Sequence, residues 1–377
     1  MIRVLHLSKY YPPEMGGIET FLWDLVEEQK RNNNLQVDVL CFNKEKVNST
    51  DKDENVTIFR SRTYGELVSQ PISFAYISKL RQIVKNYDVI HLHFPNPLAD
   101  FALLMSGFKG KLVVHWHSDV VKSRLIMLVY MPLMTWLIRR ADEVIATSQN
   151  YLDGSQVLQK IKDKVSVIPL GLNTSRIKNV NERVLSGLKK RYEGRKVVFS
   201  IGRQIPYKGF QYLIRAAREL PDDYVILIGG KGPLLGEHRR MVRELGLEKK
   251  VKMLGFVSDQ ELTAYYNLCD VYVMCSVDKS EAFGVVQLEA MYFAKPIVST
   301  DIPGSGVPWV NHHEQTGFVI APRDESALAE GIVKTVTSVG YSKMSANAKI
   351  RQENEFTSQI MALRISNLYQ EIKLNTQ

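Results

Sequence analysis

Arg203 and Lys208 stand in the segment SIGRQIPYKGF, and Glu281 and Glu289 stand in SEAFGVVQLEAMYFAKPIVST. The two carboxylates could be an acid/base pair, metal ligands or acceptors for hydroxyl groups. Beyond the end of an apolar run, Arg203 as a planar fork and Lys208 as a point charge suit a pyrophosphate; the alternative is that both are solvated surface charges. A helix starting near Gly284, with Val285, Leu288 and Tyr292 on its buried side, would turn the N–H groups of Phe283, Gly284 and Val285 toward a phosphate. Because a carboxylate repels a phosphate, the anion falls to the cations and N–H groups, and hydroxyl groups fall to Glu281 and Glu289. A ligand with phosphates in the middle and polyols at both ends is a nucleotide sugar. For each glutamate singly, a carboxylate favoured by a helix dipole is the structural alternative.

Other residues invite chemistry as well. Gly16-Gly17 could let an anion approach a helix start, or simply serve a tight turn. GGKGPLLG resembles a dinucleotide fingerprint but has the spacing G-x-G-x-x-x-G, and no acidic residue ends the next run, VKMLGF. That pattern argues against NAD. The pairs His91/His93 and His115/His117 each place alternate residues on one strand face, where four imidazoles could hold zinc or be packed and hydrogen-bonded. The second reading is preferred, and no metal is expected. His117 differs, because it stands where a strand gives way to the loop SDVVK. The DKD at 51–53 lies in the polar stretch NKEKVNSTDKDENV, expected to be an exposed loop of solvated charge.

The elements that must position these residues follow a strand–helix rhythm. RVLHLSK, VDVLCF, DVIHLH, KLVVHWH and EVIATS are short, nearly continuous apolar runs, as in parallel sheets covered on both faces. The helix after the first carries Ile18, Phe21, Leu22, Leu25 and Val26 on one face. Residues 173–194 turn polar and read as a linker. The rhythm then restarts with KVVFSIGR, YVILIGG, VKMLGF, VYVMCS and PIVST. The expectation is an α/β protein of two tandem Rossmann-like domains facing across a cleft, at 1–175 and 176–355, with a helix at 356–377 crossing back to the first. Ligands of such sheets sit beyond the carboxyl ends of the strands.

The 377 residues are 45% hydrophobic and 24% charged, with a net charge of +9 that suits anionic partners such as nucleotides or phospholipid surfaces. No zinc-finger or aromatic-basic pattern supports nucleic acid. The three cysteines are widely spaced and form no disulfide framework, which points to a reducing compartment. MIRVLHLSKYYPP lacks the long apolar core of a signal peptide. LIMLVYMPLMTWLI, Leu125 to Ile138, is flanked by Lys122, Arg124, Arg139 and Arg140 and is interrupted by Pro132. It is too short to span a bilayer. It is either a segment touching an anionic membrane or a buried helix pair covering a sheet.

The ordered set Gly16-Gly17, WHSD (Trp116 to Asp119), GRQIPYKG (Gly202 to Gly209), EAFG-x4-E (Glu281 to Glu289) and TGF (Thr316 to Phe318) resembles the retaining GT-B glycosyltransferases. Within them it is similar to the large bacterial group that builds O-antigen and other surface polysaccharides. The resemblance runs from the first strand to about residue 335. It implies that Arg203 and Lys208 hold a donor diphosphate, with Gly16, Gly17 and the N–H groups of Phe283, Gly284 and Val285. Glu289 would bind the ribose, Glu281 would face the transferred sugar, and His117 would contact that sugar or the acceptor. The donor would be a GDP- or UDP-linked hexose and no metal would be needed. The acceptor would be a polyprenyl-diphosphate-linked or other glycan, met at the cytoplasmic face of the inner membrane. A sugar-nucleotide epimerase on the same fold is the rival reading. Ala294 stands where the family commonly has glycine, and Trp309 stands where a glutamate often follows the proline. The loop GSGVPWVNHH hints at mannosyltransferase relatives without fixing the sugar.

Overall fold

The computed structural model describes residues 1–14, 16–67, 70–120 and 124–374, with side chains between 124 and 374 described from Leu128 onward. The chain forms two compact units, Met1–Gly171 with Ser358–Gln377, and Leu172–Thr357. The breaks thus fall a few residues from the expected 175 and 356.

The strands of the first unit are β1 (Ile2–Leu7), β2 (Leu35–Asn43), β3 (Ser49–Asp53), β4 (Val56–Arg62), the small hairpin β5 (Gly65–Leu67) and β6 (Gln70–Ile72), then β7 (Val89–Phe94), β8 (Lys111–Trp116), β9 (Glu143–Ala146) and β10 (Val165–Val167). The main sheet runs β10-β9-β8-β7-β1-β2-β4-β3. All its pairs are parallel except β3 with β4. The DKD stretch is therefore not a loop. It is an edge strand turning back at Glu54, with Asp51 bonded to Arg60 at 2.6 Å and Asp53 to Lys30 at 2.9 Å. Charged residues suit an exposed edge, where they discourage pairing with another chain.

The helix Gly17–Gln29 buries Phe21, Leu22, Leu25 and Val26, and the same stripe ends in Gln29, which is also buried. Against it packs the helix Ser358–Leu374, with Ser358 Oγ donating to Glu28 at 2.7 Å. The apolar stretch at 124–140 is one helix rather than a pair. Tyr130, Met134 and Leu137 are buried, while Leu128, Val129 and Met131 face solvent at 68%, 83% and 47% exposure. Pro132 lies on the exposed side, where the carbonyl it leaves unpaired can be hydrated. Lys122 lies outside the described residues, as do the side chains of Arg124 and Leu125. No described helix is long and apolar enough to cross a membrane.

The second unit holds β11 (Lys196–Ile201), β12 (Tyr224–Gly229), β13 (Val251–Gly255), β14 (Val271–Met274), β15 (Ile297–Thr300) and β16 (Gly317–Ile320), ordered β13-β12-β11-β14-β15-β16 and all parallel. The polar stretch 173–194 is only partly a linker. It contains the helix Glu182–Arg191, capped by Asn181 and burying Leu185 and Leu188. In each sheet the order reverses once, between β1 and β7 and between β11 and β14. Loops leaving adjacent strands in opposite directions open a crevice there.

Candidate active site

In the second unit, both loops at the reversal carry residues singled out above. After β11 the chain passes Arg203, makes the short turn Pro206–Lys208, and enters the helix Phe210–Ala216 through Gly209. Gly209 has φ +70°, and a Cβ there would lie 2.1 Å from the Cys275 carbonyl oxygen, so only glycine fits. Val277 N–H donates to the Tyr207 carbonyl at 2.8 Å, fastening the loop after β14 to the loop after β11.

Across this junction Lys208 Nζ lies 2.5 Å from Glu281 Oε2, with both side chains almost covered, at 12% and 11% exposure. Ser276 Oγ donates to the same oxygen at 3.0 Å. Burial works to lower the Lys208 pKa, but the Glu281 carboxylate outweighs it and holds the ammonium above its ordinary value. The two residues expected to hold different parts of a ligand are thus each other's partner, and the pair is close to neutral. Net positive charge at the crevice comes from Arg203, which is exposed and makes no ion pair among the described residues.

The helix after Glu281 starts at Val286, two residues later than expected, and buries Gln287, Leu288, Ala290 and Met291 rather than Val285 and Tyr292. Gly284 has φ +77° and turns the chain into it. The N–H groups of Phe283, Gly284 and Val285 donate to no acceptor among the described residues. Phe283 is propped from below by Trp309 and Phe356, with ring centroids at 6.3 and 6.1 Å. Trp309 therefore supports the turn by packing. Glu289 is half-buried and accepts a hydrogen bond from Tyr266 at 2.7 Å. Burial raises its carboxyl pKa, against the opposing effects of Tyr266 and Arg176. Close packing explains Gly230 and Gly232 of GGKGPLLG, since a Cβ on either would strike the backbone of Gly202 or Gln204, whereas a Cβ on Gly236 would meet nothing within 4 Å.

In the first unit the carboxyl ends of β1, β7 and β8 carry histidines on one face. The register pairs His6 with His91 and His93 with His115. All five, including His117, are buried. His117 Nε2 lies 3.1 Å from His93 Nδ1, His93 Nε2 lies 3.1 Å from His6 Nδ1, and His6 Nε2 lies 2.9 Å from Gln29 Oε1. Tyr369 joins Gln29 to His91. Burial holds His6 down to about 4 and His117 to about 3, and holds the other three well below the ordinary value. Phe21 sits edge-on to His115 and His117 at 4.5 and 4.9 Å. Two triads, His6/His91/His93 and His93/His115/His117, bring their nitrogens within 4.8 Å of one another. His6 and His93 use both ring nitrogens in these hydrogen bonds, whereas His115 uses neither. Asp119 fastens the loop that follows by accepting from Trp116 Nε1 at 3.0 Å and from Ser155 at 2.9 Å.

Gly16 has an extended φ of −160°, and a Cβ on Gly17 would meet nothing within 4 Å. Neither glycine is demanded by φ, and Gly17 is not demanded by packing. His6, Gln29 and Tyr369 escaped the sequence reading. A buried glutamine on an otherwise apolar helix stripe was the available signal.

Residues 15–176 match the family described as Glycosyltransferase Family 4, and residues 186–371 match Glycosyl transferases group 1. The chain is 33% identical over 372 residues to O-antigen chain mannosyltransferase C of Escherichia coli, covering 98% of each protein. It is 30% identical over 332 residues to D-rhamnosyltransferase WbpZ of Pseudomonas aeruginosa, covering 88% of this chain and 86% of the relative. The crystal structure of Anabaena HepE in complex with UDP superposes with a TM-score of 0.77 at 22% identity, over 98% of this chain and 100% of that one. Sucrose-phosphate synthase from Thermosynechococcus elongatus gives the same TM-score at 20% identity, over the whole of both chains. These structures share the fold. The chain belongs to the GT-B glycosyltransferases of bacterial surface-polysaccharide synthesis.

Proposed function

We propose that the protein transfers a hexose, with retention of anomeric configuration, from a GDP- or UDP-linked donor to a hydroxyl of a lipid-linked glycan in O-antigen-type synthesis. The observation that carries this reading is the Lys208–Glu281 pair at the β11/β14 reversal, beside an uncommitted Arg203 and three free N–H groups. An arriving diphosphate takes Arg203, the spare donors of Lys208 and the N–H groups of Phe283, Gly284 and Val285. Glu281, held by Ser276 and Lys208, accepts from a hydroxyl of the transferred sugar. Glu289, oriented by Tyr266, accepts from the ribose. As the glycosidic bond breaks, charge grows on the departing phosphate, where these donors already stand. The acceptor attacks from the same face, and the leaving phosphate takes its proton. The cations supply the charge, so no metal is required. Gly16, Gly17 and His117 of the first unit serve the same reaction, on the strength of the family resemblance; the unused freedom at Gly17 agrees with close approach of a ligand.

The names of the Escherichia coli relative and of the HepE complex support a nucleotide-sugar donor and a surface glycan as product. The exposed Leu128, Val129 and Met131, on a helix ending in Arg139 and Arg140, support a peripheral contact with an anionic membrane on its cytoplasmic side. Thermal-shift screening against UDP- and GDP-sugars identifies the donor, and NMR of the product reports its anomeric configuration. Lys208→Ala is expected to lower transfer at least 100-fold, the usual scale for removing a donor at a developing charge. Full activity in that variant sinks the assignment. Turnover of the donor without any acceptor would mark an epimerase.

A further inference from the structure

We propose that the buried histidines form a tautomer relay, in which Gln29 dictates that His117 presents a bare Nδ1 lone pair as a hydrogen-bond acceptor. This rests on the reading that His117 serves the transfer reaction.

The protons along this line of rings can be counted one by one. Burial keeps each ring neutral, so each imidazole carries one proton. The Gln29 carbonyl oxygen can only accept, so the proton of His6 is on Nε2, 2.9 Å away. His6 Nδ1 is then a lone pair and must receive from His93 Nε2 at 3.1 Å. His93 Nδ1 is in turn a lone pair and must receive from His117 Nε2, also at 3.1 Å. The last nitrogen, His117 Nδ1, is left without a proton. It has no hydrogen-bond partner among the described residues, and His117 keeps 7% of its surface exposed where His115 keeps none. A hydroxyl arriving at His117 therefore meets an acceptor, not a donor.

The polarity of the line is set by which end of the Gln29 amide faces His6. Gln29 Nε2 is turned instead to the Tyr369 hydroxyl at 3.5 Å, which also hydrogen-bonds His91 Nδ1. The helix Gly17–Gln29 thus does two things with one face: Phe21 packs on the rings at the His117 end, and Gln29, two turns on, fixes the protons at the His6 end. Gln29 is a positioning residue, acting on substrate only through three rings.

Protein labelled with ¹⁵N-histidine, read by long-range ¹H–¹⁵N correlation, tests this without any turnover. The expected spectrum has His6, His93 and His117 each protonated at Nε2 and bare at Nδ1. A proton on His117 Nδ1 in the unsubstituted protein overturns the relay, even if every variant fails to fold. Gln29→Met should give His117 a mixture of tautomers and raise the donor or acceptor KM roughly fivefold, the equivalent of one ordinary hydrogen bond. Gln29→Glu, which keeps an acceptor toward His6, should restore both. Unchanged tautomers in Gln29→Met also overturn it. Failure of the active-site reading would show differently, as a His117→Ala variant with undiminished transfer beside an intact tautomer spectrum.

Discussion

The crevices at the two sheet reversals are built on the same topology and filled with opposite chemistry. On β1, β7 and the neighbouring β8 the first unit places buried, neutral imidazoles, with His6, His93 and His117 hydrogen-bonded in a line. Between β11 and β14 the second unit places an ammonium and a carboxylate 2.5 Å apart, with a free guanidinium nearby. Neutral rings can receive a sugar or an acceptor without competing for its charge. A charged pair with spare donors can exchange part of its internal attraction for a diphosphate. One fold, used twice in a chain, thus lines one crevice with neutral rings and the other with an ion pair.

The largest expected consequence of that difference is in acid. Five histidines of the first unit have pKa values held below the 6.5 of an unfolded chain, two of them at about 4 and about 3. Above pH 6.5 they are neutral in both states and cost nothing. As pH falls from 6.5 toward 4, the unfolded chain takes up protons that the folded unit refuses, and stability is lost. Each ring contributes about 1.4 kcal/mol per pH unit over that window. The first unit should therefore lose several kcal/mol between pH 7 and 5, read by denaturant unfolding with proton uptake. Equal acid sensitivity in both units would erase the contrast. Within the array, His115 has neither nitrogen bonded. His115→Met removes two orphaned polar atoms and should raise stability by about 1–3 kcal/mol while flattening the pH dependence.

A smaller effect separates stability from catalysis in the second unit. Lys208→Ala leaves the Glu281 carboxylate nearly covered and without its cation, which should cost about 3 kcal/mol. Adding Glu281→Gln removes the uncompensated charge and should recover most of that loss. Transfer should stay depressed in both variants. Recovery of activity along with stability would mean that the pair is structural and that Arg203 alone binds the anion.

The sheets were legible because parallel strands covered on both faces appear as unbroken apolar runs, whatever the function. Register was not legible, and the histidine line depends on it: His6 stands alone in its strand, and only pairing beside His91 brings it to His93. The Lys208–Glu281 contact was hidden for a related reason. Both residues were assigned to a ligand, but their distance depends on how Gly209 and Val277 lock two loops. The edge strand at 49–53 was hidden by its charge, which reads as solvated loop. The helix at 182–191 was hidden because only Leu185 and Leu188 turn inward.

The departures from the family pattern give the finest test of the comparison. Ala294 has φ +53°, a left-handed conformation that suits glycine and strains any residue with a Cβ. It follows Phe293, the C-cap of the helix Val286–Tyr292, with its N–H bonded to the Met291 carbonyl at 2.9 Å, so the chain is held in that conformation. Ala294→Gly relieves the strain at some cost in unfolded-chain entropy, leaving a gain of about 1 kcal/mol. The second unit should melt higher by about 2–4 °C in calorimetry, with the acid transition of the first unit unmoved. The same helix carries Glu289, so the donor KM should stay constant if the strain is only structural. A donor KM that changes with Ala294→Gly would show instead that the strained residue after the cap sets the position of Glu289.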